Sequence, residues 1–165
     1  MLFFVRRAGL GLACLLFLAI PARAELVLSL ENDEGDAVFS MPVKEGTLFG
    51  IRYIHSVAQT PVTDYFKIKD ASIWLDRTVY SDFGAGLPHN PEDGQVFSHH
   101  NGQLVLSGFN RKLGSFQLRV GRVAEHMLLV LPGRGTKKGP REIPLARLAE
   151  PGSTLTFAVR QSKGK

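Results

Sequence analysis

Cysteine is nearly missing from this chain: 165 residues contain one, Cys14. It lies in an N-terminal segment expected to be removed, so the working protein is expected to have no disulfide and no thiol chemistry. Long apolar runs are missing too. The longest uncharged, mostly apolar stretch, residues 8–20, is thirteen residues, short of the ~20 that a membrane-spanning helix needs. Helical periodicity is weak throughout, and neither an internal repeat nor a domain linker is visible. Neither the Gly-x-Ser-x-Gly elbow of many hydrolases nor the glycine spacing of a P-loop or dinucleotide fold occurs. The densest cationic stretch has no interleaved aromatics, which argues against a nucleic-acid surface.

What the N-terminus does have is a leader. Arg6 and Arg7 precede the apolar run, and Ala22-Arg23-Ala24 follows it as a small-x-small cleavage site, the order of a secretory signal peptide. We expect residues 1–24 to be cut off after Ala24, leaving residues 25–165 as one β domain with a basic C-terminal tail in a bacterial periplasm. An uncleaved N-terminus anchored in the inner membrane is the alternative. Lipidation at Cys14 is not expected, because Gly11 stands where a lipobox wants a branched apolar residue and apolar residues continue beyond Cys14. Loss of Arg6, Arg7 and Arg23 leaves 17 bases facing 15 acids, so the net charge falls from +5 to +2. The remaining 141 residues suffice for one domain with its own core. Charge is uneven: residues 25–93 hold 12 acids and 5 bases, residues 94–165 hold 3 acids and 12 bases.

Strand patterns fill the exported part. They cover residues 26–30, 37–43, 47–55, 62–68, 72–80, 103–109, 115–120, 127–131, 142–145 and 155–160. Turn compositions separate them, as in Asn32-Asp33-Glu34-Gly35-Asp36, Lys44-Glu45-Gly46 and Lys69-Asp70-Ala71. Residues 88–102 read as a long loop, and residues 144–149 as one short helical turn. Leu128-Leu129-Val130-Leu131 is apolar on both faces, which places it centrally in a sheet. Nine or ten short strands with close turn signals predict an all-β fold, an antiparallel β-sandwich or a partly open barrel.

Period-2 alternation puts Phe49, Ile51, Tyr53 and His55 on one face, and Asp64, Phe66 and Ile68 on one face of the next strand. His55 and Asp64 thus each end an apolar row, joined by a short loop containing Pro61. As direct cross-strand neighbours their Cβ atoms would be about 4.5–5.5 Å apart, with opposing effects of charge and burial on their titration. Two readings stay open. In one, the histidine is a satisfied core residue and the aspartate bonds nearby amides at a turn; in the other, the two form a ligand site at the rim of the core. Gly84-Ala85-Gly86 follows the strand ending at Tyr80 and can present backbone amides to an anion or simply make a tight loop.

Other chemistry is weaker. Ser56 adjoins His55 and points to the opposite face, so a Ser-His-Asp hydrolase geometry is poor, and no catalytic residue is assigned. No cofactor and no metal are expected; the residues nearest to a ligand set would be His55, Asp64, His89, His99 and His126, without regular spacing. Arg134, Lys137, Lys138 and Arg141 form a cationic loop suited to an anionic surface, a peripheral membrane contact included, or to plain solvation.

Tyr53-Ile54-His55-Ser56-Val57 with Thr60-Pro61-Val62-Thr63-Asp64, then Tyr80-Ser81-Asp82-Phe83-Gly84-Ala85-Gly86-Leu87-Pro88, resembles the domain-of-unknown-function family DUF1850 of small exported bacterial proteins. Asp64 stands where that family usually has Glu. The resemblance implies a context beside TRAP transporters of the TAXI subclass, with the membrane component or the solute-binding protein as partner, and it joins His55, Ser56, Asp64, Gly84 and Gly86 in one constellation. The expected function is therefore a noncatalytic periplasmic accessory of solute uptake. It would dock on the transporter or bind a small ligand through Arg52, His55, Ser56, Asp64, Tyr80, Gly84, Ala85 and Gly86. A free-standing periplasmic binding protein or a metal-dependent hydrolase is the alternative.

Overall fold

A computed structural model describes residues 25–81, 90–133, 136 and 138–162. Eleven strands run in chain order: β1 Leu26–Glu31, β2 Ala37–Val43, β3 Leu48–Ile54, β4 Pro61–Lys69, β5 Ser72–Tyr80, β6 Val96–His100, β7 Gln103–Gly114, β8 Phe116–Arg119, β9 Met127–Val130, β10 Arg141–Pro144 and β11 Thr154–Gln161. A single 3-10 turn, Leu145–Arg147, follows β10. The strands form two antiparallel sheets, β2-β1-β11-β8 and β10-β9-β3-β4-β5-β7-β6. The sheets stay separate and do not close into a barrel, so the fold is a sandwich of unequal layers.

Turn chemistry sets the hairpins. The Asn32 side chain accepts the Asp36 N–H at 2.8 Å, and the Gly35 N–H closes onto the Asn32 carbonyl. Between β4 and β5 the two-residue turn puts Asp70 and Ala71 at φ 52 and 51, the twist that a two-residue hairpin requires.

The main core lies between the sheets. Phe49, Phe66, Ile51, Ile68 and Leu128 come from the large sheet, and Leu28, Leu30, Leu155 and Phe157 from the small one, all buried. Four phenylalanines close a ring of stacked contacts across the layers: Phe49 on Phe66 (5.1 Å between centroids), Phe66 on Phe116 (5.0 Å), Phe116 on Phe157 (4.8 Å) and Phe157 on Phe49 (6.4 Å). Offset stacking of this kind adds to plain burial. A second cluster belongs wholly to the large sheet: Val62, Tyr80, Leu104 and Leu106, with Tyr53, Phe97 and Phe109 against them.

Two departures from the sequence reading concern this sheet. The expected loop over residues 88–102 contains β6, an edge strand paired only to β7. Its one inward apolar residue, Phe97 opposite Leu106, carries too little periodicity to announce a strand. The apolar strand β9 lies one place in from the edge, not at the centre, with β10 outside it. Gly108 in β7, at φ +84, admits no side chain because the Gly94 carbonyl occupies the place of a Cβ. The loop before β6 is thereby pressed against β7.

Strands from the acidic and basic parts of the chain pair side by side, β1 with β11, β3 with β9 and β5 with β7. Arg160 on β11 grips Glu31 on β1 through two bonds of 2.9 Å, and this holds the Glu31 carboxyl below its usual range. Among the described residues no helix is long and apolar enough to cross a membrane.

Candidate functional site

The β3–β4 register separates His55 from Asp64. Ile51 faces Asp64 and Ile54 faces Pro61, while His55, one residue beyond β3, donates its N–H to the Thr60 carbonyl. The two places are four residues of strand apart, roughly 13 Å at about 3.3 Å per residue. The expected cross-strand pair does not form. Counting inward from both ends of a short loop does not determine how many loop residues continue the pairing, and here Pro61 already belongs to β4.

The two residues also exchange the roles that one reading gave them. The His55 Nδ1 accepts the N–H groups of Val57 (3.3 Å) and Ala58 (3.1 Å), holding the turn closed. Asp64 instead faces inward. A cross-strand row runs Leu128, Ile51, Asp64, Thr78, Leu106, Phe97 over six strands, polar only at its two middle places. Along β4, Asp64 lies between Phe66 of the main core and Val62 of the second cluster. The Thr78 hydroxyl donates to its Oδ1 at 2.7 Å. Burial pushes the Asp64 carboxyl above its ordinary value, and the Thr78 bond offsets only part of that. Tyr53, two residues along β3 from Ile51, is pushed up to about 12 by burial first and by the Asp64 charge second.

The remaining candidates separate. Arg52 is not available to a partner as a lone cation, since Glu142 on β10 takes it in a two-bond pair of 2.8 and 2.6 Å. Ser56 is exposed in the turn. Tyr80 is fully buried, which raises its phenol above the ordinary value. Gly84, Ala85, Gly86 and His89 lie outside the described residues, as do Arg134 and Lys137 of the cationic loop and the whole of residues 1–24. Lys138 and Arg141 are exposed at the end of β9 opposite the β3–β4 turn. His99 is exposed on edge strand β6, and His126 precedes β9. Among the described residues no three His, Cys, Asp or Glu side chains gather as a metal site.

What the sequence reading passed over is the loop from Val120 to His126. It is pinned on three sides: Ile54 donates to the Ala124 carbonyl (2.8 Å), Leu145 to the His126 carbonyl (2.9 Å), and Gly121 to the His126 Nδ1 (3.1 Å). Those ties hold Glu125 at φ 47, a left-handed conformation that a glutamate adopts at a cost of about 1–2 kcal/mol. The His126 ring lies 5.9 Å from Tyr53, and burial lowers its pKa, keeping the imidazole neutral. Beside it opens a recess of about 310 Å³, lined by Val120, Met127, Pro144, Ala146 and Pro151 together with Arg122, Glu125 and His126. The non-glycine positive φ at Glu125 has no mark in the sequence; only His126 had been noted there.

The family model described as Domain of unknown function (DUF1850) matches residues 49–134, which run from β3 to just past β9 and include this loop. No curated protein and no solved structure matches.

Proposed function

The chain belongs to the DUF1850 family, and from that premise we propose that it is an exported, noncatalytic accessory of solute uptake that docks on the membrane component of a transporter. The partner implied by the resemblance is that of a TAXI-type TRAP system. One observation carries the reading. Three large apolar side chains are exposed among the described residues, Val57 (67%), Val123 (79%) and Val96 (59%). Val57 and Val123 are on neighbouring loops, tied together by the Ile54 bond to Ala124. Apolar residues scattered singly on a surface need no explanation; two on adjoining loop tips, both within the family-matched residues, form a ready contact point. Burying each in a partner contributes roughly 1.5–3 kcal/mol.

The test is co-purification from membranes that contain the tagged transporter component. Val57→Asp with Val123→Asp is expected to abolish retention, whereas Val96→Asp, near the other end of the large sheet, leaves it unchanged. Circular dichroism confirms that the variants fold. Retention of the doubly substituted protein at the wild-type level refutes docking through these loops.

A further inference from the structure

We propose that the recess beside His126 binds a small zwitterion, an α-amino acid with an apolar side chain. This site adjoins the docking loops but stands on separate observations. Its walls include one residue of each charge, Arg122 and Glu125, together with the apolar Val120, Met127 and Pro144. A ligand with a single charge would be attracted by one wall and repelled by the other. A molecule carrying carboxylate and ammonium on one carbon satisfies both, and its side chain meets the apolar lining residues. The volume of about 310 Å³ leaves room for a side chain of leucine size.

His126 adds a fixed polar contact. Its Nδ1 accepts the Gly121 N–H, so in the neutral ring Nε2 carries the proton and donates. Glu125 supplies the second line of argument. Two backbone bonds and the Gly121 bond to the His126 ring, all on its neighbours, hold it in a conformation that glycine would occupy with less strain. Strain kept at a pocket wall points to a use for the side chain. Neither Arg122 nor Glu125 has an ion-pair partner within 4 Å among the described residues.

The experiment is titration calorimetry on the full-length protein with leucine, 4-methylpentanoate and 3-methylbutylamine. Leucine is expected to bind at least roughly tenfold more tightly than either half-molecule, because each half leaves one charged wall unmatched. Glu125→Gln should remove the preference for leucine over the acid, and Arg122→Gln the preference over the amine. Glu125→Gly should lose leucine binding without lowering the melting temperature, which separates recognition from folding. Equal binding of all three compounds, or leucine binding unaffected by Arg122→Gln and Glu125→Gln, overturns the proposal; so does the lack of leucine binding at millimolar concentration. Leucine binding is read apart from docking in the Val57→Asp single variant, because Val57 is not among the residues that line the recess, whereas Val123 shares their loop.

Discussion

Asp64→Asn should make the protein more stable at high pH and leave it nearly unchanged at low pH. The wild-type carboxyl lies on the inward face between two apolar clusters, and burial lifts its pKa above the ordinary 3.8. Below the ordinary value the acid is neutral in both the folded and the unfolded chain, and Asn and Asp are near-isosteres. As pH rises past that value, the unfolded chain releases its proton first while the folded chain retains it. The folded state then binds more protons, so wild-type stability falls, and it stops falling once pH exceeds the raised folded-state pKa. The amide that replaces the carboxyl does not titrate and has no such dependence. The stability difference therefore grows in favour of the variant across that window, with a limiting slope of about 1.4 kcal/mol per pH unit.

Thr78→Val supplies the control. It removes the one hydroxyl that bonds the carboxylate among the described residues, and an inward acceptor left without a donor costs about 1–3 kcal/mol. That loss should be larger at about pH 8, where the charge demands the bond, than at about pH 3. The assay is urea unfolding of wild type and both variants from about pH 3 to about pH 8, followed by circular dichroism. An Asp64→Asn effect of one size at every pH, or a wild-type stability that this carboxyl makes rise through the window, refutes the placement of Asp64.

Two further outcomes follow from the packing and the turn. Phe157→Ala opens the four-ring stack between the sheets and should cost about 3–5 kcal/mol, visible as a large drop in urea midpoint; a loss below about 1 kcal/mol would show that the layers are not held by these rings. His55→Ala leaves the Val57 and Ala58 amides without their acceptor, so their hydrogen exchange should quicken at a global cost of only about 1 kcal/mol, and unchanged exchange at both amides would refute the capping role.

The strand pattern was legible because one face of nearly every strand is buried, and burial forces alternation: β1, β2, β5 and β9 lie within a residue or two of where polarity alone puts them. β6 was not, since an edge strand with one inward phenylalanine needs no alternating row. Alternation also put Asp64 on the same face as Phe66, and this is where it lies. Which residue stands opposite it is a different kind of fact. A face is decided by each strand's own contact with water and can be read locally. A register is decided by how a loop closes and by what the neighbouring strand offers, and here it puts Thr78, not His55, beside the carboxylate. The pairing of Arg52 with Glu142, the joining of the Val57 and Val123 loops, and the strained Glu125 at the wall of a recess likewise depend on strands distant in the chain. Local polarity thus determined the layers of this protein, and only the three-dimensional closure of those layers decided which side chains meet.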